Sequence, residues 1–145
     1  MREQRRDPAA DLSGVLVGYG KAIEAQVNEI LRVAMRGAPD VARRVKVGDS
    51  TRLLPDALPL TLGQLAYVLG GEPDLGDYLR RVLEQGAFFT GEFAAVLDAF
   101  AEARNPAAHG EVVDRAVVGQ WRDRMLGVGA ESVVGKLASV RMRQA

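Results

Sequence analysis

The stretch VLVGYGKAIEAQVNEILRVAM, residues 15–35, decides the fold class. Its apolar members Leu16, Tyr19, Ile23, Val27, Ile30, Leu31 and Ala34 recur at steps of three and four, which puts them on one stripe of a long core-facing α-helix. Ser13 offers an N-cap, and Gly37 and Pro39 supply the stop. Gly14, Gly18 and Gly20 weaken the first turns unless close packing needs small residues there. Upstream, the polar and charged residues 1–12, with Pro8 inside them, are expected to form a flexible leader; the folded unit is expected over 13–145.

Downstream the same period returns. Thr61 and Gln64 make a capping-box pattern ahead of Leu62, Leu65, Ala66 and Leu69, so a short helix is predicted up to Gly70-Gly71. Pro73-Asp74 starts another, with Leu75, Tyr78, Leu79, Val82 and Leu83 as its stripe and Gly86 after its last turn. Thr90 is a candidate cap for a helix carrying Phe93, Val96, Leu97 and Phe100. Residues 111–125 predict a further helix with Val113, Val117 and Trp121. Gly127 to Gly129 breaks it, and a closing helix buries Val133 or Val134, Leu137 and Val140 before the basic tail from Arg141 to Arg143.

Between these helices, residues 38–60 lose the period and hold Pro39, Gly48, Pro55 and Pro59. They are expected to form a long connection, and Arg43, Arg44, Lys46 and Arg52 make it basic. A solvated loop is the simpler reading; a phosphate-contacting arm is the functional one, with Arg43, Arg44 and Lys46 as possible RNA contacts. Only residues 43–47 alternate as a strand does, and one isolated strand cannot form a sheet. The expected fold is therefore all-α, an up-and-down helical bundle.

Composition narrows the chemistry. The 145 residues suit one domain, and there is no cysteine. That excludes thiol nucleophiles, disulfides and thiolate metal sites, and points to a cytoplasmic setting. A single histidine argues against a zinc site, so no metal or cofactor is expected. Lys plus Arg and Asp plus Glu both number 19, so no overall basic field advertises nucleic acid. No apolar run reaches membrane-spanning length.

Other motifs fail on their own residues. The stretch from Thr61 to Gly70 has features of a helix-turn-helix, but the next helix opens with Glu72, Asp74 and Asp77, which oppose phosphates. Gly129 to Lys136 has the wrong spacing for a phosphate loop, and Leu137 stands where Ser or Thr would hold magnesium. Gly127 to Gly129 lacks the third glycine of a dinucleotide fingerprint.

One stretch remains, Arg104-Asn105-Pro106-Ala107-Ala108-His109-Gly110. On an unbroken helix, positions five apart differ by about 140° of rotation. Pro106 disfavours helical geometry at Asn105. The incoming helix is thus expected to end near Arg104, with Asn105 capping a new turn and Pro106 in its first position, so that guanidinium and imidazole converge. The structural alternative pairs Arg104 with Glu102 or another carboxylate and makes His109 a helix cap.

This stretch resembles the R-x4-6-H motif, commonly R-N-x-x-x-H, of HEPN domains (higher eukaryotes and prokaryotes nucleotide-binding). The segment from Tyr19 to Glu24 is similar to their early helix, and the likeness extends from about Ser13 to Val140. It implies a mainly four-helix bundle that dimerises and brings two motifs into one cleft. Many such domains are metal-independent endoribonucleases of toxin–antitoxin and phage-defence systems; others are inactive dimerisation or ligand-sensing modules. By this resemblance His109 is the base, Arg104 the phosphate binder and Asn105 an orienting group. Lys21 and Glu24 on the early helix are supporting candidates, with solvated helix residues as the simpler reading. Implied partners are RNA, a second copy of the chain, and an antitoxin or fused defence protein.

Overall fold

A computed structural model of the chain describes residues 8–108, 120–121 and 133–144, with side chains placed from residue 18 to residue 103 and in the two later segments. The described part is predominantly helical, as the apolar period requires.

Helix α1 (Pro8–Ala34) starts at Pro8 rather than after Ser13. Proline suits a first turn, where its missing N–H has no intrahelical acceptor, so Pro8 to Leu12, expected in the leader, belong to the helix. Ile23, Val27, Ile30, Leu31 and Ala34 are buried as the stripe demands. A single 3₁₀ turn, Met35–Gly37, closes it.

The segment expected to be one long connection is folded. It comprises α2 (Asp40–Arg43), the antiparallel strands β1 (Arg44–Val47) and β2 (Ser50–Leu53), and α3 (Leu54–Ala57). The strand signal at residues 43–47 was therefore real, and its partner is the segment after Gly48-Asp49. Gly48 takes φ 64° in this two-residue hairpin loop, a conformation that glycine adopts without strain. Val45 is 1% exposed and anchors the hairpin, whereas every residue of β2 is exposed.

Helix α4 (Leu62–Gly71) has the expected capping box: Gln64 N–H donates to Thr61 Oγ1 (3.4 Å) and Thr61 N–H to Gln64 Oε1 (3.0 Å). Leu60, just before it, is held to α1 by Asn28. The Asn28 amide donates to the carbonyls of Leu60 (3.0 Å) and Glu24 (2.8 Å), and its Oδ1 accepts the Leu60 N–H (2.7 Å). The side chain thus completes a buried backbone pairing that neither a helix nor a sheet supplies.

Helix α5 (Pro73–Val82) buries Leu75, Tyr78 and Leu79. The Tyr78 hydroxyl donates to the Ala34 carbonyl at 2.6 Å. Burial pushes its phenol above the ordinary 10.0, partly offset by the Arg43 and Arg81 charges. A phenol raised in the folded state contributes stability that is present below its unfolded value and is lost as pH rises through the folded one. Tyr78→Phe is accordingly expected to cost about 0.5–1.5 kcal/mol at pH 7. It should also flatten the loss of stability above about pH 10, as read from urea midpoints across that range.

After α5 the chain departs from the expected helix stop. Leu83–Glu84 forms β3, which pairs with β4 (Arg141–Met142) from the basic tail. Gln85 then takes φ 64° and α6 (Gly86–Thr90) follows. A Cβ on Gly86 would lie 2.7 Å from both Arg80 Cα and Leu79 O, so the close backbone approach itself selects glycine. Thr90 ends α6: its hydroxyl donates back to the Gly86 carbonyl (3.0 Å) and accepts from Arg80 (3.1 Å).

Helix α7 (Glu92–Ala108) packs against α1, α4 and α6. Phe93, Val96, Leu97 and Phe100 are buried. Phe93 stacks on Phe89 (centroids 5.7 Å apart), and Phe100 meets Trp121 edge-on at 5.0 Å. Gly70 lets α4 approach closely, since a Cβ there would stand 3.4 Å from that of Ala94. Helix α8 (Val133–Ala138) buries Val133 and Leu137 and leaves Val134 exposed. The expected break at residues 127–129 and most of the helix over 111–125 lie outside the described residues. Among the described residues, no helix is long and apolar enough to cross a membrane.

Candidate functional site

The Arg104 stretch emerges from the C-terminal end of α7, a helix anchored at Phe93, Leu97 and Phe100 in the core. The expected break at Asn105-Pro106 does not occur: the helix continues through Pro106 to Ala108. Proline's preference at the preceding residue is a bias, not a prohibition, and near a helix end it removes one i→i−4 bond, here to the Glu102 carbonyl. The cap-and-restart route to an Arg–His pair is therefore corrected. Arg104 and Asn105 are described as helical backbone, and His109 lies outside the described residues.

Lys21 and Glu24 occupy the same long helix, with different surroundings. Lys21 is exposed. Glu24 is half-buried, and its Oε2 accepts the N–H of Leu62 at 3.1 Å, satisfying a first-turn donor of α4. Its observed role is to hold α4 against α1, beside the Asn28 bracket.

The basic segment separates in the same way. Arg43 turns inward: its Nη2 donates to the Met35 carbonyl at 3.2 Å, and its Nε is buried with no partner among the described residues. Arg44 and Lys46 are exposed on β1. Being two residues apart on a strand, they share one face. Neither cationic head group has an ion pair among the described residues. The Lys46 backbone N–H donates to Glu72 Oε2 at 2.7 Å, which ties β1 to the start of α5 through one oxygen of that carboxylate.

Between this hairpin and α4 runs an open groove of about 380 Å³ lined by Lys46, Gly48, Gly63, Gln64 and Tyr67. Tyr67 is 47% exposed. Its ring lies over Gly71, one turn further along α4, where a Cβ would come within 2.8 Å of the ring edge. Sequence reasoning passed over Tyr67, although its position off the stripe of Leu62, Leu65, Ala66 and Leu69 already placed an aromatic ring on the outer face of α4.

No known family model, curated protein or solved structure matches the chain.

Proposed function

We propose that the chain is a metal-independent endoribonuclease of the HEPN type, working in the cytoplasm as a homodimer within a toxin–antitoxin or phage-defence system. The observation that carries this reading is the Arg104-Asn105-x-x-x-His109 stretch at the end of a core helix in an all-α domain. Cleaving RNA through its own 2′-hydroxyl needs a base for that hydroxyl, positive charge on the pentacovalent phosphate and a proton for the departing 5′-oxygen. One chain contributes a single histidine. Two chains related by a two-fold axis contribute two imidazoles and two guanidiniums, the latter suited to bidentate phosphate contacts.

The single histidine per chain supports a role for the second copy. Helix α7 runs through Pro106 to Ala108, so no cap-and-restart turn forms at Asn105-Pro106. The same continuity favours the second reading, a catalytically inactive dimerisation or ligand-sensing module, in which the stretch is structural.

Protein concentration separates the two. With RNA in EDTA, the ribonuclease cleaves, and its activity per chain falls when the protein is diluted through the range where sedimentation shows the dimer dissociating. No cleavage at any concentration overturns the enzymatic reading, and activity per chain that is constant across dissociation overturns the shared site.

A further inference from the structure

We infer that the groove between the β1–β2 hairpin and α4 binds single-stranded nucleic acid, with Tyr67 as a base-stacking platform and Lys46 and Arg44 as phosphate contacts. Three observations coincide there. Tyr67 is an aromatic side chain left 47% exposed, with its ring settled on Gly71. Two cations without ion pairs among the described residues stand on one face of the adjoining strand, and Lys46 lines the groove itself. The Glu72 carboxylate accepts the Lys46 backbone N–H through Oε2 and makes no ion pair with the Arg44 or Lys46 head group among the described residues. An exposed ring beside cations that make no ion pair is the combination by which single strands are bound irrespective of sequence: the ring takes a base and the cations take the backbone. An acidic peptide would use the cations and leave the ring idle.

Gly48 and Gly63 leave the groove open, and a Cβ at either has nothing within 4 Å. Gly63 therefore permits a test that the fold does not confound. Gly63→Glu places a carboxylate beside Lys46 and Tyr67, in the first turn of α4, where acidic residues and better helix formers than glycine are favoured. The variant should be at least as stable as the parent and bind more weakly.

The inference does not rest on the ribonuclease reading, and its test is run in a His109→Ala background so that the probe is not consumed. The full chain is titrated against a fluorescein-labelled oligouridine and followed by anisotropy. Tyr67→Ala should weaken binding about tenfold, while Tyr67→Phe, which keeps the ring face, stays within about twofold of the parent. Gly63→Glu should weaken binding at least about tenfold. Arg44→Ala and Lys46→Ala should each lower the slope of log affinity against log salt by about 0.7. An oligothymidine deoxy probe bound equally well identifies a groove that reads base and phosphate alone; tighter binding of the RNA probe assigns an added 2′-hydroxyl contact. Absence of binding, unchanged affinity in Tyr67→Ala and Gly63→Glu, or equal competition by polyglutamate would overturn the inference.

Discussion

Asn28→Ala is expected to lower the free energy of unfolding by about 3–5 kcal/mol. Asn28 is 4% exposed and Leu60 is 3% exposed. The asparagine amide is the hydrogen-bond partner of both the Leu60 N–H and the Leu60 carbonyl. Removing it strands two buried backbone groups, each costing about 1–3 kcal/mol, and opens a small void besides. The effect is larger than for an exposed polar residue because water cannot replace the lost partner. Urea unfolding should show a lower midpoint at unchanged slope, since the surface exposed on unfolding is the same. Asn28→Asp keeps the acceptor for the Leu60 N–H but faces the Leu60 carbonyl with a carboxyl group, and should fall between parent and alanine variant. A change below about 1 kcal/mol in Asn28→Ala would mean that the bracket does not hold α1 to the start of α4.

The largest effect on activity is expected at His109. If its imidazole acts as the base in transesterification, His109→Ala reduces the cleavage rate by about 10²–10⁴-fold, the usual contribution of a positioned general acid or base. Arg104→Ala should also impair cleavage strongly, and Arg104→Lys should restore it only in part, because an ammonium keeps the charge but not the planar bidentate fork. Both variants should unfold at midpoints close to the parent's. That separation distinguishes chemistry from stability, since a helix cap or a surface ion pair would register in the unfolding curve instead.

Helices were legible in the sequence wherever one face had to be buried. The stripe from Ile23 to Ala34, the Thr61–Gln64 capping box and the Phe93–Phe100 face all follow from side-chain period and local hydrogen-bonding chemistry. The hairpin was half legible. Its buried strand showed alternation around Val45, but β2 is exposed throughout and so carries no hydrophobic signature. The β3–β4 pair joins two-residue strands 57 residues apart at Glu84 and Arg141, a contact that no local pattern encodes. Thr90 had the residue type of a cap, but its buried hydroxyl found the Gly86 carbonyl first. At Pro106, α7 continues in spite of the local preference of the preceding residue.

The candidate site was legible as a motif and not as a geometry. Arg104, Asn105 and His109 could be singled out by type and order, yet the turn expected to join them is replaced by continued helix. Arg43, Arg44 and Lys46 looked equivalent as a charge run. Packing divides them, sending the Arg43 head group to the Met35 carbonyl and leaving the other two in solvent. Charge patterns report which residues are basic, and the fold decides which of those charges a ligand can reach.

End-group analysis of the products tests the proposed cleavage by the RNA's own 2′-hydroxyl. A defined RNA incubated with the purified chain in EDTA should yield 2′,3′-cyclic phosphate and 5′-hydroxyl ends. The same RNA carrying one 2′-deoxy nucleotide at the cleaved position should stay intact there, and His109→Ala should give neither product. Products with 5′-phosphate ends, scission at the 2′-deoxy position, or equal cleavage by His109→Ala would contradict it.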